Sequence, residues 1–203
     1  MLTGQPGAGK TSLMARMARR LGTLQEQGYI VLQHYAGLGH RGFSIRIMLR
    51  RFCRELAQQL RVDMPVREVA TLSEVSSVFR ELCRKAVALY GANLVVLCDG
   101  YDQMQAAHRT ASQLWLPVAR TVGLVVALSL QRGCPAHHRL LERVGAHHTE
   151  VQTLPLDAAA CRALADRTLR RLIPRARIPA PTLDDLVEAA LQGARPPVWS
   201  RPA

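Results

Sequence analysis

The chain alternates between short apolar runs and longer stretches whose apolar residues recur every three to four positions. Strand candidates are a stub at Met1-Leu2, then Tyr29–Tyr35, Leu94–Cys98, Val122–Leu130 and a short piece at Thr149–Leu154. Between them run amphipathic segments. Thr11–Gln27 carries Leu13, Met14, Met17, Leu21 and Leu24 on its apolar side, and Phe43–Leu60 carries Ile47, Leu49, Phe52, Cys53, Leu56 and Leu60. Leu72–Tyr90 follows, with Thr71 or Ser73 as its cap, and later come Pro135–Val144 and Asp157–Ile173, the latter capped by Asp157. Val62–Ala70, with Pro65, reads as a loop. Pro174–Pro181 reads as a linker before a last helix at Leu183–Gln192, and Gly193–Ala203 is Pro-rich without a regular pattern. Leu94–Cys98 and Val122–Leu130 are apolar at nearly every position, as a parallel strand buried on both faces must be. Strands alternating with helices predict an α/β fold with three layers, a mostly parallel central sheet flanked by helices. The expected division is a core over residues 1–155 and a helical extension with a Pro-rich tail over 156–203.

One segment carries distinctive chemistry. Gly4-Gln5-Pro6-Gly7-Ala8-Gly9-Lys10-Thr11 satisfies GxxxxGK[ST] between the strand stub and the first helix. Glycines let the backbone curl around phosphate oxygens at positive φ, and the inward N–H groups add to the positive end of the helix. Lys10 would reach the β- and γ-phosphates of ATP/ADP, and Thr11 would offer its hydroxyl to Mg2+, with Ser12 beside it. About 90 residues on, Leu94–Asp99 is an apolar strand ending in an acid, the arrangement that holds Mg2+ directly or through water. That distance leaves room for two intervening βα units. Asp102 stands where it could orient the attacking water, or be a solvated loop acid. Ser129, at the end of the next strand, is placed to sense the γ-phosphate. Arg132 is the alternative, and a surface arginine is its simpler reading.

Composition refines this picture in three ways. Among 203 residues, 48% are hydrophobic and 21% charged, which excludes general disorder. The net charge of +12 and pI near 10.7 raise the possibility of a nucleic-acid partner. The basic residues are almost all arginines scattered at helical spacing, without an aromatic ladder, so solvated helix faces account for them more simply. Five cysteines without a CxxC pair point to reduced thiols in the cytoplasm, and His137-His138 and His147-His148 lack the further ligands of a metal site. No apolar run approaches the roughly 20 residues of a membrane span, and the N-terminal pattern leads straight into the phosphate loop rather than through a secretory leader. Only three residues precede Gly4, where a central strand would have about five or six. The expectation is therefore a fragment of a longer protein.

The run GQPGAGKTS, the stretch LVVLCDGYDQM and the segment WLPVARTVGLVVALS together resemble the STAND class of P-loop ATPases, and more closely its NACHT-type domains. Further points of similarity are Gln33-His34-Tyr35, the helix core Leu49–Leu56, the Asp-Gly-x-Asp of Asp99–Asp102, and Trp115-Leu116-Pro117. The resemblance spans roughly residues 3 to 200 and implies an ATP-driven switch in a larger protein, with protein partners reached through domains outside this chain and a nucleotide-dependent oligomer. It also implies an adenine-side contact from Pro196, with Pro197 competing. Many NACHT domains carry Glu where this chain has Gln103, which implies slow hydrolysis or none. Other phosphotransfer on the same fold would use Arg167–Arg177 as a lid.

Overall fold

In the computed structural model the described residues are 1–24, 27–37, 42–63, 70–90, 93–104, 113, 115–116, 123–154, 157, 159–164 and 167. They form strand β1 (Leu2–Gly4), helix α1 (Lys10–Gly22), β2 (Tyr29–Tyr35), α2 (Ile45–Leu60), α3 (Leu72–Tyr90), β3 (Asn93–Asp99), β4 (Leu124–Gln131), α4 (Pro135–Val144) and β5 (Val151–Gln152). The five strands make one parallel sheet in the order β2-β3-β4-β1-β5. This is the α/β architecture the alternation predicts. β2, α3 and α4 have the predicted limits. α1 is shorter than the expected Thr11–Gln27, and β5 keeps only two residues of Thr149–Leu154.

Among the described residues, a single strand, β2, lies between β1 and β3, and two consecutive helices follow it. The expectation of two intervening βα units is therefore corrected. The reason lies in α2 and α3, which pack on each other as well as on the sheet. Phe52 of α2 and Phe79 of α3 stack with centroids 6.0 Å apart, and Phe79 meets the Trp115 ring edge-on at 5.9 Å.

The two faces of β3 show how period-2 alternation divides the core. Leu94, Val96 and Cys98 join the larger cluster with α2, α3 and α4, whereas Val95 and Leu97 join the smaller one beneath α1, with Leu2, Met14 and Ala18. α1 buries only a narrow stripe. Leu13 and Met17, expected on its apolar side, are 38% and 36% exposed. Caps fix the helix ends. Thr71 and Glu74 form a reciprocal capping box on α3, and the Ser44 hydroxyl accepts from Ile47 N at the start of α2.

His34 on β2 joins strand and loop. Its Nε2–H donates to Gly42 O at 2.7 Å while Nδ1 faces Arg51 at 3.4 Å. Burial holds its pKa below the ordinary 6.5, the Gly42 bond opposes this, and Arg51 adds to the lowering. The unfolded chain therefore binds the proton more readily. The contribution is fully present above the unfolded value and is lost as pH falls towards the folded one. Chemical denaturation between about pH 7.5 and about pH 5.5 is expected to show stability falling more steeply in the wild type than in His34→Gln. Parallel profiles would refute the assignment.

The chain divides into two compact units, Met1–Thr153 and Leu154–Ala203. In the second, residues 159–164 are helical and the Asp157 carboxylate accepts from Ala160 N at 2.7 Å, the N-cap the sequence predicts. Apart from Arg167, the remainder of Asp157–Ile173, the linker, the last helix and Pro196 with its neighbours lie outside the described residues, as does Pro117.

Candidate functional site

A parallel sheet gathers the C-terminal ends of its strands on one edge, and ligands of such sheets bind in the crevice where the strand order reverses. Here β1 is flanked by β4 and β5, so the crevice opens above the tips of β1, β4 and β3. A cleft of about 340 Å³ lies there. Its wall on one side is Pro6, Gly7, Gly9, Lys10 and Thr11, and on the other Asp99, Gly100, Asp102 and Gln103, with Ser129 and Gln131 at the strand tips.

The loop takes its shape from backbone freedom. Gly7 and Gly9 have φ of 80° and 77°, where an L side chain is strained. Gly9 is the N-cap of α1, with no side-chain cap and no acid in the first turn. That leaves a concave run of N–H donors at the positive end of a 13-residue helix, suited to an anion. Gly4 is glycine for a different reason. A Cβ there would lie 2.0 Å from Thr153 Oγ1, because β5 presses against the loop's first residue. Lys10 arches back over the loop, its ammonium donating to Gly4 O at 3.1 Å and Gln5 O at 2.8 Å. The cation is thereby held against the nest of N–H groups.

Oxygen donors converge opposite. Thr11 Oγ1 donates to Asp99 Oδ2 at 2.7 Å, across 88 residues of sequence. The Ser129 hydroxyl donates to the other Asp99 oxygen and accepts from Gly100 N at 2.9 Å. Asp99 is 4% exposed, so these bonds offset the cost of burying its charge. Gly100, at φ 67°, turns the chain immediately after the acid into a 3₁₀ turn over Tyr101–Gln103. This turn brings Asp102 and Gln103 over the cleft. A hard divalent ion would find the Thr11 hydroxyl and the Asp99 carboxylate as adjacent oxygen ligands, the donor type Mg2+ prefers. The residues present thus fit the group.

Of the residues singled out from sequence, Pro6, Gly7, Gly9, Lys10, Thr11, Asp99, Asp102 and Ser129 line one cleft. Gly4, Gln5, Ala8 and Ser12 do not line it. Gly4 and Gln5 instead offer their carbonyls to Lys10. Arg132 turns aside to Gln152, 2.8 Å away. Sequence reasoning missed Gln131 and Gly100. Gln131 pairs with Gly4 in register and continues past Ser129 on the same face of β4, a position that strand register sets and alternation alone does not reveal. Among the described residues no group of three His, Cys, Asp or Glu could hold a metal, and no helix is long and apolar enough to cross a membrane.

No family model matches the chain. It is similar to NACHT domain- and WD repeat-containing protein 1 of Mus musculus, 26% identical over 141 residues, which is 69% of this chain and 9% of that protein. The Homo sapiens protein of the same name is 24% identical over 119 residues, 58% of this chain and 8% of its own length. The chain thus spans less than a tenth of these relatives. Among solved structures, the Aeropyrum pernix ORC1 protein in complex with DNA superposes with a TM-score of 0.51 at 17% identity, covering 95% of this chain and 53% of that one. That likeness concerns the fold. The parallel α/β sheet is the fold shared with that structure, and in sequence the chain is similar to NACHT-containing proteins.

Proposed function

We propose that the chain is an ATP-binding, magnesium-dependent P-loop ATPase domain acting as a slow nucleotide-controlled switch within a larger cytoplasmic regulatory protein. The observation that carries this reading is the Thr11–Asp99 hydrogen bond, which joins the end of the phosphate loop to the acid of a non-adjacent strand. In the switch, the loop and first turn of α1 bind the phosphates and Lys10 neutralises their charge. Thr11 and Asp99 would hold the ion, and Ser129 fixes the Asp99 carboxylate. Magnesium, when bound, would neutralise phosphate charge. Asp102 orients the water.

Slow turnover is supported by what the cleft does not offer. Both Asp99 oxygens accept hydroxyl donors, and residue 103 is an amide, which neither accepts a proton from water nor carries charge. Among the described residues Asp102 is then the one further carboxylate lining the cleft. Gln103→Glu is expected to raise phosphate release under single-turnover conditions by about 100-fold, the lower end of what a positioned general base contributes. An unchanged rate with unchanged affinity would remove position 103 from the account.

A second reading, a nucleic-acid-associated ATPase, is favoured by the net charge of +12 and by Arg16, Arg19 and Arg20, all exposed on α1. It also draws on the DNA bound to the ORC1 protein of similar fold. Affinity for a mixed-sequence duplex that falls steeply with salt would support it.

A further inference from the structure

The three residues of β1 carry the phosphate loop and pair with β4 on one side and β5 on the other. Side chains from later segments add to that pairing. Thr3, fully buried, donates its hydroxyl to Glu150 Oε1 at 2.6 Å. The other Glu150 oxygen lies 3.5 Å from Nε2 of His137, which is itself only 5% exposed. The tautomer is set from behind, because Gly133 N–H donates to His137 Nδ1 at 3.1 Å. The proton of neutral His137 is therefore on Nε2, aimed at Glu150, and among the described residues this atom has no closer partner. Thr153 completes the brace, its N–H and hydroxyl both donating to Thr3 O at 2.7 and 3.1 Å.

We propose that Glu150 and His137 are positioning residues for the phosphate loop, and that the protonation of His137 tunes nucleotide affinity through Glu150 and Thr3. The inference rests on the reading of the cleft as a nucleotide site. Thr3 immediately precedes Gly4, so a displacement of Thr3 passes directly into the loop. A neutral His137 offers Glu150 a long N–H contact. A protonated one makes an ion pair, draws Glu150 down and tightens the hold on Thr3. Glu150 remains a carboxylate across this range, since the Thr3 hydrogen bond keeps its pKa below the usual value and His137 and Arg132 act in the same direction. Among the described residues, the other charged or titratable groups facing the pair are His138, whose ring centre is 5.9 Å from that of His137, the Met1 ammonium and Cys134.

The test is calorimetric titration of Mg-ATP into the wild type, Glu150→Ala, His137→Asn and Thr3→Val from about pH 6 to about pH 8. Glu150→Ala and Thr3→Val are each expected to weaken binding about tenfold at neutral pH. Wild-type affinity is expected to rise more on acidification than that of His137→Asn. Comparing the two proteins cancels the titration of the nucleotide's own phosphates. Hydrogen exchange at the Val151 and Thr153 amides, which bind Met1 O and Thr3 O, is expected to quicken in Glu150→Ala. Should Glu150→Ala fail to fold, Thr3→Val carries the same expectation with only a hydroxyl replaced by a methyl group. Equal affinities with parallel pH profiles would overturn the proposal. A wild type that binds no Mg-ATP would instead overturn the nucleotide reading.

Discussion

Replacing Lys10 by alanine is expected to weaken Mg-ATP binding by about 100-fold or more, corresponding to about 3 kcal/mol. The ammonium lies across the loop on Gly4 O and Gln5 O, so it serves twice. It holds two carbonyls that would otherwise direct negative charge towards the phosphates, and it supplies a charge-assisted donor to the phosphates themselves. Arg132, just past the end of β4, is tied to Gln152 instead. Lys10 is the first residue of α1 and only partly buried, so the variant's stability without nucleotide is expected to change by no more than about 1 kcal/mol. Isothermal titration beside a denaturation curve separates the two quantities. A variant that binds as tightly as the wild type would remove Lys10 from the site.

Asp99→Asn is expected to abolish the magnesium dependence of binding while leaving the fold in place. Asparagine has the same shape, and the hydroxyls of Thr11 and Ser129 can turn to suit an amide. What it lacks is charge. The carboxylate is buried beneath the cleft with both oxygens engaged, and a divalent ion gains most of its attraction from such an anion. Affinity measured with and without magnesium should differ markedly in the wild type and little in the variant, and the variant's affinity in magnesium should drop about 10- to 100-fold. An undiminished magnesium effect would place the ion elsewhere.

Much of this site can be read from the chain because its parts are local. A Gly-rich octapeptide followed by a helix states its own geometry, and Asp99 announces itself as the first acid after an unbroken apolar strand. The limits of β2, α3 and α4 are equally plain, being set by Gly28 and Gly37, by Thr71 and by Cys134-Pro135. What the chain does not reveal are relations between distant segments. That β4 lies between β1 and β3 decides that Ser129 bridges to Asp99 and that Gln131 meets the cleft, and this follows from sheet order rather than from any periodicity. The contact of Thr153 with Gly4 and the Thr3–Glu150–His137 brace depend in the same way on β5 pairing with β1. The exposure of Leu13 and Met17 has a geometric cause, since α1 meets the sheet mainly through Met14 and Ala18.

The most direct test of the central claim is the thermal stability of the purified chain with and without Mg-ATP, Mg-ADP and Mg-GTP. A ligand that binds only the native state raises stability by about 2.7 kcal/mol at a hundredfold excess over its Kd. A clear rise with the adenine nucleotides, smaller with Mg-GTP and absent in Lys10→Ala, is the predicted result. A folded chain whose stability is indifferent to every nucleotide would contradict the account.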